Sequence, residues 1–232
     1  MPAFVPRRPA WLTHALINTI GVRVPRAGAR FFPDLLFRKP TPHNQPPTLY
    51  LTFDDGPDPE SGGTTALLNL LDAHDIAATF FLIGAHAKRD PGLVRAYVEG
   101  GHAIGNHSWT HPNLWETPPE ETRRELDDTT ALLEDLTGER VTLMRPPYGR
   151  FSPSARTWAQ ETGHQIVMWD VMPGDFLPSA TSEGVRAHLA RFARPGSIIV
   201  LHEGGQARSL TPRVIGDVLA RYRAEGWRFA RL

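Results

Sequence analysis

The chain has 232 residues, of which 41% are apolar, and this size and composition fit one globular domain. Its formal net charge of zero gives no argument for nucleic acid as a partner. The absence of cysteine excludes disulfides, zinc–thiolate sites and thiol catalysis.

The first 45 residues form a basic N-terminal extension, with seven arginines and lysines against the single acid Asp34. Within it, Leu12, Leu16, Ile17 and Ile20 recur at helical spacing. The apolar run around them is too short to cross a bilayer. We therefore expect a short amphipathic helix that packs on the domain or lies on a membrane surface, with a cleaved signal peptide as the alternative.

From residue 46 onward, short apolar runs alternate with helical patterns, and four prolines between residues 40 and 47 mark the boundary. The predicted strands are Thr48–Phe53, Ala78–Ile83, His102–Gly105, Thr142–Arg145, Gln165–Trp169, Ser197–Leu201 and Arg228–Leu232. The predicted helices cover residues 64–74, 90–100, 119–137, 152–162, 181–193 and 211–225. This alternation predicts a parallel α/β sheet, either a barrel or doubly wound. Because the chain is short for an eight-unit barrel, a distorted or incomplete barrel is favoured, in a single catalytic domain over residues 46–232.

Polar side chains follow most of the predicted strands at the point where each strand ends. Because the carboxyl ends of parallel strands face one end of a barrel, we expect these groups to converge there. They are Asp54, Asp55, His107, His111, Arg145, Asp170, Asp175 and His202.

Two of these motifs supply metal ligands. His107 and His111 are four residues apart, so on one helical turn both imidazoles reach the same ion. One carboxylate from Asp54 or Asp55 completes a three-ligand set that zinc hydrolases commonly use, and the other is left for proton transfer. Taken singly, Asp-Asp-Gly-Pro is equally a strand-ending turn, and the histidines are equally surface residues.

Read together, the motifs resemble the polysaccharide deacetylase family, which is also carbohydrate esterase family 4 or the NodB-homology domain. The resemblance covers roughly residues 46–232. It rests on Thr-Phe-Asp-Asp-Gly-Pro from Thr52, His-Ser-x-x-His from His107, Arg-x-Pro-Tyr from Arg145, an aspartate after the strand that ends at Trp169, and Leu-His at His202.

The resemblance implies a distorted (β/α)7 barrel of parallel strands. It implies that Asp55, His107 and His111 bind one divalent metal ion, Zn²⁺ foremost, with Co²⁺ or another divalent ion as alternatives. Asp54 would be the general base that takes a proton from the attacking water, and Arg145 would be its partner.

The resemblance also implies a general acid and an oxyanion donor. His202 would protonate the departing amine, and Asp175 would raise its pKa and orient it. The backbone N–H of Tyr148 would stabilise the tetrahedral oxyanion. Two departures from the family pattern are Phe176, where tryptophan is usual, and Val200, where leucine is usual. Both keep the acetyl pocket apolar, and we expect them to line it with Pro147, as substrate-binding residues.

The implied activity is metal-dependent removal of N-acetyl groups from an N-acetylglucosamine-containing polysaccharide, peptidoglycan or chitin-like, with release of acetate. The alternatives are a deacetylase of O-acetylated xylan or a non-sugar amidohydrolase on the same metal site. A catalytically inactive carbohydrate-binding protein is disfavoured, because a binder needs no general acid and base together. The expected partner is an N-acetylated glycan, and the expected state is a monomer. A glycan substrate points to the cell envelope, whereas the N-terminus carries no convincing export signal, which leaves the cytoplasm open.

Overall fold

The computed structural model of the protein describes residues 29, 31–42, 44–58 and 62–232. Its centre is a seven-stranded sheet in which every strand pair is parallel. The strands are β1 Thr48–Gly56, β2 Thr79–Leu82, β3 Ala103–Asn106, β4 Leu143–Met144, β5 Gln165–Ile166, β6 Ile198–His202 and β7 Arg228–Ala230.

At least one helix lies between each two consecutive strands of the sheet, as the connection of parallel strands requires. The helices are α1 Gly63–Ala73, α2 Gly84–Arg89, α3 Pro91–Glu99, α4 Pro119–Thr137, α5 Pro153–Thr162, α6 Ser182–Phe192 and α7 Ala207–Ala224. Several begin at sequence-encoded caps. The Ser152 hydroxyl accepts the Ala155 N–H at the start of α5, and the Thr181 hydroxyl accepts the Gly184 N–H at the start of α6.

In the strand order β5-β4-β3-β2-β1-β6, β1 lies between β2 and β6, and β7 pairs with its first three residues. The register between β1 and β6 sets Asp54 directly beside His202. The last residues of β1 and β6 therefore meet at the carboxyl end of the sheet, which is where the sequence predicts a site.

A short segment that precedes β1 joins the two edges of the sheet. We call residues 35–39 the closing segment. The N–H of Leu36 donates to the carbonyl of Ile166, at the end of β5, and the N–H of Lys39 donates to the carbonyl of Gly196, just before β6. Leu35 and Phe37 are each only 5% exposed and belong to a core cluster. The sheet therefore closes irregularly, through the closing segment and not through a β5–β6 ladder.

These features confirm the predicted parallel α/β fold with a distorted, incomplete barrel. The predicted fourth and fifth strands, however, shrink to two residues each. Beyond Ile166 the backbone leaves the β4 ladder, since the N–H of Met168 donates to the closing segment at Leu36. The division of the chain at residue 46 stays a prediction. The closing segment lies N-terminal to that boundary and nevertheless packs into the core of the domain.

Helix α2 is absent from the predicted elements. It has six residues, starts with Gly84 and has no side-chain cap, so the usual start signal is missing. The predicted amphipathic helix around Leu12–Ile20 lies outside the described residues, and its membrane contact and the monomeric state stay predictions. Within the described ranges, every helix falls short of the length or apolar character needed to cross a membrane.

Candidate metal and catalytic site

Both carboxylates at the end of β1 serve one site. Successive residues of a regular strand point to opposite faces, but Asp55 has a left-handed backbone with φ of 73°. As a result the Nε2 atom of His107 lies 3.5 Å from Asp55 Oδ1 and 3.9 Å from Asp54 Oδ2. The turn after β1 thus aims two adjacent carboxylates at the same imidazole.

Asp55, His107 and His111 form a compact ligand set. Their potential ligand atoms all lie within 4.8 Å of one another, and His111 Nε2 is 3.3 Å from Asp55 Oδ1. The Nδ1 atom of His107 is 2.7 Å from the backbone carbonyl of Arg145, to which it donates. That hydrogen bond leaves the Nε2 lone pair directed at Asp55, as in a metal-binding histidine.

The protonation states of this cluster suit a divalent cation. Burial, followed by the neighbouring charge of His107, lowers the pKa of His111 to about 4, so the ring is neutral at pH 7. Burial opposes ionisation of Asp55, yet its close contacts with the neighbouring imidazoles, His107 foremost, hold its pKa well below the usual range. Asp55 Oδ1 is buried without a hydrogen-bond partner. A neutral imidazole, a carboxylate and an orphaned oxygen fit a metal ion such as those of zinc hydrolases.

Asp54 forms an ion pair with a wholly buried arginine. Arg145 Nη1 donates to Asp54 Oδ1 at 2.7 Å and to the Thr52 hydroxyl at 2.7 Å. Its remaining nitrogens donate to the carbonyls of Val167 and Met168. Four hydrogen bonds therefore fix the guanidinium, which orients the carboxylate and balances its charge. Asp54 Oδ2 is left facing the ligand set.

His202 pairs with a second buried carboxylate on the other side of β1. Asp175 is fully buried and accepts from both the ring Nδ1 and the backbone N–H of His202, at 2.9 and 2.7 Å. The Thr211 hydroxyl donates to the same carboxylate. Burial lowers the pKa of His202, but the charge and hydrogen bond of Asp175 outweigh it and raise this pKa to about 9. The ring therefore carries a proton at neutral pH.

A groove of about 600 Å³ opens beside these groups and is lined by Asp55, His111 and Phe176, among others. Phe176 is 38% exposed, and its ring packs against His202 at 4.7 Å. Tyr148 is 65% exposed, and its ring packs edge-on against His111 at 4.6 Å. Aromatic side chains thus flank the cluster at the metal-ligand end and at the His202 end.

Most of the predicted site residues come together, with three exceptions. Asp170 was expected to converge with them, and this is wrong. Its carboxylate accepts from Ser197 and Ile198 at the start of β6, which is the opposite end of the strand from His202. Val200 is 1% exposed and Pro147 is buried, so neither presents surface to the groove. Their contact with substrate stays a prediction.

Sequence reasoning missed Glu125 and Asn106. Glu125 accepts the N–H groups of Trp109 and Thr110, between the two histidines, and Asn106 accepts the N–H of Ser108. The sequence does carry a signal for Glu125, which is a charged residue on the buried face of α4. A buried charged residue needs a partner.

With this geometry in hand, comparison with known proteins identifies the family. Residues 41–167, more than half of the chain, match the family described as polysaccharide deacetylase. The chain belongs to the polysaccharide deacetylase family. The resemblance inferred from the five motifs is thereby confirmed.

Relatives of the chain within this family cover most of the domain. A chitooligosaccharide deacetylase of Sinorhizobium fredii is 40% identical over 159 residues, which are 68% of this chain and 73% of that protein. A peptidoglycan-N-acetylglucosamine deacetylase of Bacillus cereus is 34% identical over 188 residues, which are 80% and 86% of the two chains. The crystal structure of a peptidoglycan N-acetylglucosamine deacetylase superposes with a TM-score of 0.79 at 32% identity, covering 86% of this chain and 91% of that one.

Proposed function

We propose that the protein is a metal-dependent hydrolase that removes N-acetyl groups from an N-acetylglucosamine-containing polysaccharide, peptidoglycan or chitin-like, and releases acetate. The relatives named for this reaction support the substrate class. The observation that carries the proposal is the pairing of two proton-transfer groups beside one ligand set. Asp54 offers a carboxylate oxygen to accept a proton, and His202 carries one to give.

The proposed cofactor is one divalent metal ion, Zn²⁺ foremost, held by Asp55, His107 and His111. Two imidazoles and a carboxylate suit zinc, although cobalt accepts the same donors. Such an ion supplies Lewis acidity at the acetyl carbonyl and lowers the pKa of water to about 7.

Asp54 acts as the general base in this proposal. Its Oδ1 is engaged by Arg145, which leaves Oδ2 to accept the proton of the water that attacks the acetyl carbonyl. Arg145 acts through Asp54, because its hydrogen bonds hold the carboxylate in place while the proton arrives. The backbone N–H of Tyr148 donates to the carbonyl oxygen as negative charge develops there. The hydrogen bonds within this turn come from Gly149 and Arg150, which leaves the Tyr148 N–H to the substrate.

His202 acts as the general acid. An amine is a poor leaving group unless it is protonated, and His202 supplies that proton as the carbon–nitrogen bond breaks. Because Nδ1 is held by Asp175, Nε2 is the nitrogen available to the amine. Phe176 packs on this ring and lines the groove, so we assign it to the wall against the acetyl methyl or the sugar.

The test is acetate release by zinc-reconstituted protein from chitooligosaccharides, peptidoglycan and O-acetylated xylan, with Asp54→Asn as the control. We expect metal-dependent release from an N-acetylated glycan that is lost in the variant. Release from xylan alone would replace the proposal with the esterase alternative. A protein that binds zinc and releases acetate from none of the three would contradict it.

A further inference from the structure

The turn that carries the two histidines has an unfavourable backbone. Ser108 and His111 both adopt left-handed conformations, with φ of 64° and 61°. Residues other than glycine seldom adopt this region, and strain of this kind persists only where surrounding structure imposes it. The turn from His107 to His111 therefore depends on contacts from outside itself.

Helix α2 supplies one set of contacts, through the carbonyl groups of the turn. The N–H of Gly84 donates to the carbonyl of Ser108 at 2.9 Å, and the N–H of Ala85 donates to that of Trp109 at 3.0 Å. A Cβ on Gly84 would lie 2.5 Å from the Trp109 ring, so glycine permits this close approach. The carbonyl side of the turn is thus fixed.

Glu125 of α4 supplies the opposite set, through the N–H groups. Its Oε2 accepts the N–H of Trp109 at 2.8 Å and that of Thr110 at 2.7 Å, and its Oε1 accepts the Thr110 hydroxyl at 2.8 Å. The side chain is buried, at 8% exposure. Three donors satisfy this carboxylate, and all three come from the two residues that precede His111.

We propose that Glu125 is a positioning residue that sets the affinity of the metal site. Its carboxylate accepts from Trp109 and Thr110 and thereby holds the backbone between the two histidines, so that both Nε2 atoms face Asp55. Hydrogen bonds to ionised carboxylates are among the stronger ones in proteins, and here two of them converge on one oxygen. The inference rests on the proposed metal ligand set, but it concerns binding and not turnover.

The experiment measures the dissociation constant for Zn²⁺ by competition with a chromophoric chelator. In Glu125→Ala we expect affinity to fall about 10–100-fold, the usual cost of removing an outer partner of a metal ligand. In Glu125→Gln the amide oxygen still accepts both N–H groups, and Thr110 can turn its hydroxyl to accept from the amide nitrogen. We expect that variant to stay within about tenfold of the original protein. The matched control is Glu121→Gln, an exposed glutamate one turn earlier on α4, which should leave affinity unchanged.

A second variant and a second readout separate positioning from general stability. Thr110→Val removes one donor from Glu125 at an exposed residue and should weaken zinc binding about 3–10-fold. The thermal midpoint of each metal-free variant is measured by circular dichroism. A purely structural role would lower that midpoint while zinc affinity stays as it was, and this result would overturn the proposal.

Two further outcomes also overturn it. One is unaltered zinc affinity in Thr110→Val, which decides the matter even if Glu125→Ala does not fold. The other is Glu125→Gln binding zinc as weakly as Glu125→Ala, because hydrogen bonds would then not explain the effect. Failure of the proposed function looks different. In that case the original protein binds zinc tightly, the Glu125 variants lose affinity as expected, and no substrate yields acetate.

Discussion

The two proton-transfer pairs of the site have equally buried orienting partners, but their reacting groups differ in exposure. In each, the orienting partner is wholly buried: Arg145 beside Asp54, and Asp175 beside His202. The reacting groups differ, since the Asp54 side chain is 5% exposed whereas the His202 side chain is 15% exposed and packs against a groove-lining aromatic ring. A base that takes a proton from water can be enclosed. An acid that serves a departing sugar must meet the groove, and this difference supports the assignment of the two roles.

The two pairs also differ in what supports them. Arg145 is held by backbone carbonyls of Val167 and Met168, and the N–H of Met168 in turn donates to the closing segment at Leu36. Asp175 is held by β6 and by Thr211 of α7. The closing segment also contacts Gly196, but His202 lies at the opposite end of β6 from that contact. Damage to the closing segment should therefore affect the Asp54 pair more than the His202 pair.

The largest expected effect is that of Asp54→Asn. The amide keeps the shape of the carboxylate and can accept from Arg145, but it cannot take up a proton. We expect kcat to fall about 10²–10⁴-fold, the usual contribution of a general base. Zinc content after dialysis should be unchanged, because Asp54 is not among the three proposed ligands. Turnover within tenfold of the original protein would remove Asp54 from the role.

The sequence predicts the reacting residues of both pairs but not the segments that support them. Asp54, Arg145, Asp175 and His202 follow recognisable strand ends, and parallel strands bring such ends together. The closing segment escapes prediction because residues 35–39 form single bridges and not a strand, so no periodic pattern marks them. Contacts between Glu125 and the histidine turn escape for a related reason, since they depend on where one helix packs and not on spacing along the chain.

The second effect is a loss of folding stability when the closing segment, which supports the Asp54–Arg145 pair, is removed. A chain that starts at residue 46 lacks Leu35 and Phe37, both buried in the core. Losing two such side chains costs about 3–6 kcal/mol. At roughly 2–4 °C per kcal/mol, the thermal midpoint should fall by about 6–24 °C. Calorimetry of the two chains measures this. An unchanged midpoint would show that the closing segment does not support the barrel.

A third effect concerns the acid side and its pH dependence. In Asp175→Asn the charge that raises the pKa of His202 is lost, and burial then lowers that pKa. A general acid works only while protonated, so the alkaline limb of kcat/KM should move from about pH 9 to lower pH. At pH 7.5 we expect a loss of about tenfold or more. Thr211→Val removes a neutral donor to Asp175 and keeps the charge, so its pH profile should stay close to the original.

The same pair makes a smaller contribution to folding stability. The pKa of His202 is about 9 in the folded protein and 6.5 in the unfolded chain, so the folded state binds the proton more tightly. The stabilisation is therefore complete below pH 6.5 and is lost as pH rises through 9. Urea unfolding of metal-free protein at pH 6 and pH 9.5 should show a decline on the order of 1–3 kcal/mol. Buried Glu203, whose pKa burial raises to about 8, loses stabilisation over the same pH range in both proteins. The decline should therefore be smaller in Asp175→Asn than in the original protein, and an equal decline would place the titrating group elsewhere.

The smallest effect is expected at Phe176, whose substitution tests whether the substrate passes through the groove beside His202. Phe176→Ala removes the ring that packs on His202 and should lower kcat/KM about 2–10-fold. Phe176→Trp restores an aromatic wall and should keep kcat/KM near the original while changing the preference between chitooligosaccharides and peptidoglycan. If alanine alters neither kcat/KM nor this preference, the substrate does not pass over Phe176. The sugar would then lie on the Tyr148 side of the site. In that case the greater exposure of His202 would no longer support its assignment as the general acid.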